Sequence, residues 1–168
     1  MMNLQSLFVK ARQSRRGLAK LNTVLAWGIP FNRPHRLKIM HLSEHRAEVA
    51  IPFSRRNLNH IKGIHACCLA TGAEFTSGLV LLGALDADKY RLIMKNISVD
   101  YHYQARKNCM AVYALEDSQL NALNTTLQQE GQSDILCEVK VVDAEDNHIC
   151  TGKILWQIKA WNRVKTAV

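Results

Sequence analysis

An almost uncharged segment in the middle of the sequence constrains the fold more than any other feature. Between residues 63 and 85 the only formally charged side chain is Glu74, and residues 66–78 are mostly Ala, Cys, Thr, Ser and Gly. Because small side chains on every face let a helix lie very close to its neighbours, this composition predicts a buried central helix from about His65 to Leu82. A lone carboxylate on a buried helix is costly unless it is paired, hydrogen-bonded or protonated, so Glu74 is the first candidate for a functional residue.

Two other interpretations of this segment stay open at the level of the sequence. A transmembrane helix needs about 20 apolar residues, and the segment approaches that length. His65, Thr71 and Glu74 all lie in its first half, however, and only residues 79–85 are strongly apolar, which disfavours a membrane span. Glu74 can also point to water from a half-exposed helix, although no Lys or Arg stands three or four positions away to form the usual ion pair.

Length and cysteine content limit the class of protein. The 168 residues predict a single domain with a core of its own, covering residues 1–168. The chain has five cysteines, an odd number, which does not indicate a disulfide framework. No Cys-x-x-Cys pair occurs, so a metal site is not indicated either. Reduced thiols are typical of the cytoplasm, where we expect the protein to reside.

The excess of positive charge is confined to the first third of the chain. The net charge is +8: residues 1–62 contain 12 Lys and Arg against two Glu, a balance of +10, and residues 63–168 contain 10 basic and 12 acidic side chains, a balance of −2. Such asymmetry suggests an anionic partner, such as phosphate groups, a membrane surface or an acidic carrier protein, but a solvated basic face without a partner explains it equally well. No nucleic-acid-binding motif accompanies the charge, so specific nucleic-acid binding is not expected.

Residues 1–30 form a predicted N-terminal helical extension. Apolar residues recur at helical spacing from Leu4 to Leu25, basic residues occupy much of the remaining surface, and Gly28 and Pro30 end the pattern. The resulting amphipathic helix can pack across one end of the fold, and it can also make weak contact with an anionic membrane surface.

The rest of the chain alternates apolar and polar residues in the manner of half-buried strands. A first short strand begins near Leu37 and a second covers residues 47–53, both before the central helix, while residues 116–132 predict a polar helix or a long loop. Four further strands follow the central helix, at about residues 90–105, 109–115, 135–142 and 148–161. The tight connection at residues 106–108 predicts that the first two of these four pair with each other, and the turn at 143–147 predicts a hairpin of the last two. This order of elements indicates an α+β fold, in which a meander of antiparallel strands has one face covered by the central helix.

Four residues around the start of the central helix carry a resemblance to a known superfamily. Asn59 is followed by a turn containing Gly63, by His65 at the start of the helix, and nine positions later by the acidic Glu74. With this signature and the order of its elements over residues 36–161, the sequence resembles the hotdog-fold acyl-CoA thioesterases. The likeness is greatest to the branch containing the phenylacetate-pathway thioesterases and, within it, to a bacterial family of unassigned function. The resemblance implies a hotdog fold, a curved antiparallel β-sheet wrapped around a long central α-helix, here with an extra N-terminal helix.

The spacing of His65 and Glu74 adds a geometric argument. Nine residues turn a helix by about 180° and advance it by about 13 Å, so one helix cannot bring both side chains to the same bound atom. If both serve one site, two copies of the chain must contribute to it. The resemblance implies the same, because hotdog enzymes work as dimers with sites at the interface, and we therefore expect a homodimer or a dimer of dimers.

The resemblance implies hydrolysis of an acyl-CoA or acyl-carrier thioester, with coenzyme A as part of the substrate and no further cofactor. Glu74 would act as the base or the nucleophile, and Asn59 would position the water or the carbonyl group. The backbone N–H groups near His65 and Ala66, after the turn at Gly63, are placed by the helix dipole to stabilise negative charge on the carbonyl oxygen. The basic residues that can bind the phosphates of coenzyme A are Arg55, Arg56, Lys62, Arg106 and Lys107.

A second function is compatible with the same residues. Many relatives have His-Gly-Gly at the helix start, where the absence of side chains lets the substrate approach the backbone, whereas this chain has His65-Ala66-Cys67. Together with the basic first third, this departure favours, as the alternative, a non-catalytic hotdog protein that binds acyl-CoA or an acyl lipid.

Overall fold

The structure, a computed structural model, describes residues 4–165, and its architecture is α+β. Six antiparallel strands form one curved sheet around a long central helix, which is the hotdog fold that the sequence predicts. The helices are α1 (Leu4–Gln13), α2 (Arg15–Gly28), α3 (Ala66–Ala84) and α4 (Asp117–Glu130). The strands are β1 (Lys38–Leu42), β2 (Arg46–Ile51), β3 (Tyr90–Tyr101), β4 (Cys109–Ala114), β5 (Gln132–Asp143) and β6 (His148–Ala160).

The strands lie in the order β1-β2-β4-β5-β6-β3, and this order corrects one prediction. β3 pairs with β6, whereas β4 lies between β2 and β5, so the predicted pairing of the strands on either side of residues 106–108 is wrong. The connection is not a tight turn, because β3 ends at Tyr101 and the chain leaves the sheet after two further bonds, from His102 N and Tyr103 N to Ile149 O of β6. Ala105 O accepts a hydrogen bond from Ile64 N at 2.8 Å, which holds this segment against the loop before α3. The predicted hairpin of β5 and β6 is confirmed.

The small residues of α3 let the helix lie almost in backbone contact with the sheet. A Cβ atom on Gly72 would stand 2.3 Å from Ile51 Cδ1 of β2. A Cβ atom on Gly152 of β6 would stand 2.8 Å from Ala73 Cβ. Larger side chains at these positions would push the helix away from the sheet, which is the physical reason for the composition of the segment.

A buried hydrogen bond also fixes α3 to the sheet. Trp156 of β6 donates from Nε1 to Ser77 Oγ at 3.0 Å, and both side chains are buried, so neither group can turn to water instead. By length and composition α3 could cross a membrane, but in this fold most of it is buried as the core helix.

The N-terminal extension consists of two helices where the sequence predicts one. Ser14 interrupts the helix and caps α2, because its Oγ accepts a hydrogen bond from Gly17 N at 3.0 Å. The two helices meet so closely that a Cβ atom on Gly17 would stand 2.0 Å from Lys10 O. α1 packs on the end of α3, where Arg12 Nη2 donates to Gly83 O at 2.9 Å.

α2 covers the β1 edge of the sheet. The side chain of Asn22 replaces a neighbouring strand, because its Oδ1 accepts from Ile39 N at 2.8 Å and its Nδ2 donates to Ile39 O at 3.0 Å. These bonds use backbone groups that an edge strand otherwise leaves open. At the opposite edge, no further strand within residues 4–165 pairs with the outer side of β3.

Candidate active site

The loop that leads into α3 is shaped by Asn59. Its Oδ1 accepts hydrogen bonds from Ile61 N at 3.1 Å and from Gly63 N at 3.0 Å, while its own backbone N–H donates to Gly63 O at 2.8 Å. Lys62 adopts the left-handed backbone conformation that the turn requires, with φ 59°. The carboxamide oxygen of Asn59 therefore stabilises the turn. Its Nδ2 group has no acceptor within residues 4–165, so it can donate a hydrogen bond to a substrate or a water molecule.

His65 caps the helix with its side chain. Its Nδ1 accepts a hydrogen bond from Cys67 N at 3.1 Å, so the neutral ring carries its proton on Nε2. The backbone N–H of His65 is engaged as well, because it donates to Asn57 O at 2.7 Å. Of the two N–H groups predicted near the helix start, that of Ala66 has no acceptor in the described part of the chain. The Ala66 N–H, at the positive end of the helix dipole, is therefore the group able to stabilise an oxyanion.

A groove of about 340 Å³ opens beside this helix start. Tyr101, the last residue of β3, borders the groove and donates from its hydroxyl to Ala66 O at 2.9 Å, which ties the end of the strand to the first residue of the helix. Burial raises the pKa of the Tyr101 hydroxyl, so this group stays a hydrogen-bond donor at neutral pH. The groove is lined by Asn59, Ile64, Ala66, Leu69, Tyr101, His102, Tyr103, Gln104 and Ala105.

The sequence reasoning missed the two tyrosines of this groove. The alternation around Tyr101 and Tyr103 favours packing within a strand that continues to Ala105. The strand instead ends at Tyr101, so both tyrosines flank the point where the chain turns out of the sheet towards the helix start. The signal that could have found them is the polar run at residues 104–108, which is atypical of a buried strand and indicates an earlier end.

Glu74 lies more than two turns further along α3 and does not line the groove of its own chain. Its side chain is half-buried. No hydrogen bond or ion pair reaches its carboxylate from residues 4–165, and loss of hydration is the one influence on its titration. Loss of hydration raises the pKa of Glu74 above its ordinary value of 4.5. It shares a helix face with Cys67, Ala70 and Thr71, which are exposed or half-exposed, so this face is only partly covered in the single chain.

Two of the five predicted phosphate-binding residues lie beside the groove. Lys62 belongs to the turn that Asn59 shapes, and Arg106 donates from Nε to the groove residue Gln104, whose Oε1 lies 3.0 Å away. The side chains of Lys62 and Arg106 are exposed, and neither forms an ion pair within the described residues. Both remain available to an anionic group of a ligand.

The other three basic residues are placed less favourably. Lys107 forms an ion pair with Glu145, and the hydrogen bond between the two raises the pKa of Lys107. Together with Arg106 it borders a second cavity of about 480 Å³. Arg55 and Arg56 lie exposed in a short 3₁₀ helix that borders neither cavity. In the part of the chain that the structure describes, no three His, Cys, Asp or Glu side chains cluster closely enough to hold a metal ion.

The open edge of the sheet carries exposed apolar side chains. Ile93 and Met94 of β3 are 45% and 41% exposed, and Tyr101 at the end of the same strand is 48% exposed. A 12-residue edge strand presents a row of unpaired backbone groups, which is a template for pairing with another chain. This edge therefore offers a surface on which a second copy can pair.

Comparison with known proteins provides a family and a fold. The family model described as Domain of unknown function (DUF4442) matches residues 17–158, which is most of the chain. A search of curated proteins finds no match.

Solved structures resemble the chain over most of its length. A Pseudomonas aeruginosa protein of unknown function, named a probable thioesterase, is 21% identical with a TM-score of 0.78, over 84% of this chain and 95% of that one. A thioesterase from Haemophilus influenzae is 12% identical with a TM-score of 0.70, over 89% of this chain and 94% of that one. At such identities the likeness shows the fold alone, and membership of the phenylacetate-pathway branch stays a prediction.

Proposed function

The chain belongs to the DUF4442 family, and we propose that it hydrolyses an acyl thioester. Solved structures that share its hotdog fold include proteins named as thioesterases. The observation that carries the proposal is the carboxylate of Glu74, which is half-buried on the central helix, has a raised pKa and lacks a bonding partner within residues 4–165. An unpaired carboxylate in partly dehydrated surroundings costs stability, so a chemical role is the best account of its presence.

The proposal requires two copies of the chain. The groove at Ala66 contains a donor for an oxyanion but no carboxylate, and Glu74 lies on a partly uncovered face of the same helix. Pairing of two chains along their β3 edges would bury Met94 and satisfy the open backbone groups of that strand. We therefore propose a homodimer, or a dimer of such dimers, in which Glu74 of one copy completes the groove of the other.

In the proposed site, Glu74 activates water. The carboxylate accepts a proton from water as the water oxygen adds to the carbonyl carbon of the thioester. Negative charge develops on the carbonyl oxygen, where the Ala66 N–H and the α3 dipole stabilise it and Asn59 Nδ2 serves as a second donor. The C–S bond then breaks, the leaving thiolate accepts the proton held by Glu74, and the products are a carboxylic acid and a thiol. Direct attack by the carboxylate on the carbonyl carbon is the nucleophilic variant of the same role.

The thiol carrier is proposed to be coenzyme A or an acyl carrier, because both bring phosphate groups to the mouth of the groove. Lys62 and Arg106 are exposed, form no ion pair within residues 4–165, and lie close to groove residues along the chain, so they are the first choice for contacting phosphate. The reaction as written needs no cofactor. A cytoplasmic location accords with the five cysteines, all of which are free.

One observation favours the alternative of a non-catalytic acyl-CoA or acyl-lipid binding protein. Because the His65 N–H is taken by Asn57 O, a single backbone N–H remains at the helix start, and the Ala66 methyl group stands beside it. A site with one backbone donor, assisted only by the neutral Asn59 amide, can bind a thioester carbonyl without stabilising its oxyanion enough for turnover.

The proposal is tested by measuring whether the purified protein hydrolyses a series of acyl-CoAs, from acetyl-CoA to palmitoyl-CoA. We expect turnover by the wild type and a loss of about 10²- to 10⁴-fold in Glu74→Gln, the usual effect of removing a general base. The matched control is Glu138→Gln on β5, which removes an exposed carboxylate that does not line the groove and should retain full activity. Equal rates in wild type and Glu74→Gln would exclude the assigned role, and saturable binding of acyl-CoA without turnover would favour the binding protein.

A further inference from the structure

The N-terminal hairpin, defined as α1, α2 and the 3₁₀ helix Pro30–His35 that follows, has a basic surface. Residues 4–35, which make up this hairpin, contain six Lys and Arg and no Asp or Glu. A surface with one sign of charge and no internal counter-charges attracts an anionic partner over a distance of about one Debye length, roughly 8–10 Å at physiological salt.

The exposed face of α2 combines cations with an aromatic ring. Arg16, Lys20, Thr23 and Trp27 are all exposed and follow one another at intervals of four, three and four residues, so they form a single stripe along the helix. The basic residues stand at the start of the stripe and the tryptophan at its end.

Two rings at the end of the hairpin are open to solvent. Phe31 is 69% exposed and Trp27 is 67% exposed, the highest values among the large apolar side chains of the described residues. The guanidinium group of Arg33 lies 4.1 Å from the centre of the Trp27 ring, so a cation accompanies the aromatic surface. An indole beside Lys and Arg side chains is typical of residues that occupy the boundary between lipid headgroups and acyl chains.

The hairpin is held rigidly and away from the edge assigned to the second copy. Asn22 fixes α2 to β1 through two hydrogen bonds with Ile39, and Arg12 fixes α1 to the end of α3. β1 and β3 are the two opposite edges of the sheet, so a partner on the hairpin does not compete with pairing along β3.

From these observations we infer that the N-terminal hairpin docks the protein on an anionic lipid surface. The cations of α2 contact lipid phosphates, and Trp27 and Phe31 insert their rings among the headgroups. An acidic carrier protein would complement the cations alone, whereas a lipid interface accommodates both the charge and the two exposed rings. The inference concerns a surface that the proposed thioester site does not use.

Sedimentation with lipid vesicles tests the inference. The fraction of the protein bound to vesicles of phosphatidylglycerol and phosphatidylcholine is compared with the fraction bound to vesicles of phosphatidylcholine alone. We expect binding to the anionic vesicles that weakens as salt is added. Lys20→Gln should weaken partitioning about fivefold and Arg16→Gln with Lys20→Gln about 25-fold, since each basic residue near an anionic surface contributes about that factor. Trp27→Ala should also weaken it. Lys140→Gln on β5, which removes the same charge from another surface, is the matched control and should bind like the wild type.

Several results would overturn the inference. They are equal binding to neutral and anionic vesicles, wild-type binding by the Arg16→Gln and Lys20→Gln double variant, and an equal loss in Lys140→Gln. Binding of an acidic carrier protein by the hairpin, without binding to anionic vesicles, would also overturn it in favour of a protein partner. Unchanged melting temperatures of the variants would show that the losses arise from the surface and not from unfolding.

Discussion

Replacing Gly72 by alanine tests how closely the central helix approaches the sheet. The new Cβ atom would stand 2.3 Å from Ile51 Cδ1 and 2.7 Å from Ile51 Cγ1, and Ile51 is fully buried, so it cannot move aside freely. Overpacking costs about 1–3 kcal/mol, and two contacts this short place the variant near the upper end. Alanine is favoured over glycine inside a helix by about 1 kcal/mol, which leaves a net loss of about 2 kcal/mol in the free energy of unfolding.

The companion variant Ile51→Val removes Cδ1 and with it the shorter contact. Alone it should cost about 1 kcal/mol, as the loss of one buried methyl group typically does. The two single losses add to about 3 kcal/mol, but relief of the contact should leave the double variant with a loss of about 2 kcal/mol. Gly28→Ala is the matched control, since no atom lies within 4 Å of its Cβ position, and it should leave stability unchanged or slightly raised.

Urea unfolding followed by circular dichroism measures all of these variants, at one protein concentration because the stability of a dimer depends on it. If Gly72→Ala unfolds like the wild type, or if the losses in the double variant simply add, the helix does not approach the sheet as described. The explanation of the small residues in the central segment would then be refuted.

Three further predictions concern the hydrogen bond that fixes α3 to the sheet, the open β3 edge, and the titration of Glu74. Ser77→Ala should lower the free energy of unfolding by about 1–3 kcal/mol, because the buried Trp156 N–H loses its acceptor. In a Trp156→Phe background the same substitution should cost less, and urea unfolding measures both losses. Met94→Lys puts a charge on the β3 edge and should convert the proposed dimer to a monomer in light scattering. Val9→Lys on α1, where the side chain is 45% exposed, should leave the mass unchanged. The raised pKa of Glu74 means that the folded state holds this proton more tightly than the unfolded state. The contribution of Glu74 to stability is therefore fully present below pH 4.5 and is lost as pH rises through the folded pKa. Glu74→Gln should therefore melt at a higher temperature than the wild type at pH 7, and an equal or lower melting temperature would contradict the assigned burial.

The central helix and its charged residue could be predicted from the sequence because local composition decides them. A run of small residues has few alternatives to a closely packed helix, and a single charge within such a run is visible without any knowledge of the fold. The predicted boundaries differ from Ala66–Ala84 by two residues or fewer at either end. The pattern of alternating strands was equally informative, and it located the β5–β6 hairpin correctly.

The order of the strands could not be obtained in the same way, because it depends on contacts between distant segments. The bond between Ile64 N and Ala105 O holds residues 104–108 against the loop before α3 and away from the sheet, and neither residue signals this in its own neighbourhood. The break of the N-terminal helix at Ser14 was more accessible, since Ser followed by Gly17 at the third position is consistent with a cap and a close helix crossing.

The candidate site was predicted in its residues but not in their bonding. A sequence shows that Asn59 has an amide oxygen and that His65 has a backbone N–H, but it does not show that the first is used by Gly63 N and the second by Asn57 O. The structure therefore reduces the predicted donors at the helix start to the Ala66 N–H. The sequence predicts donors near His65 and Ala66, and the structure leaves the Ala66 N–H as the one that can reach an oxyanion.

A variant that lacks this N–H can show whether Ala66 of one copy and Glu74 of the other form one site. Ala66→Pro removes the N–H at the first helical position, where proline is tolerated, and His65 already has the extended conformation that a following proline requires, with φ −62° and ψ 137°. Ala66→Pro and Glu74→Gln should each reduce acyl-CoA hydrolysis at least about 100-fold.

The decisive measurement is the activity of a mixed dimer, co-expressed with two tags and purified on both, that contains one chain of each variant. One of its two sites then combines an intact Ala66 from one copy with an intact Glu74 from the other, so we expect hydrolysis to recover to about half the wild-type rate. A mixed dimer as inactive as either parent would exclude a site shared between two chains, because it would mean that both groups act within a single chain.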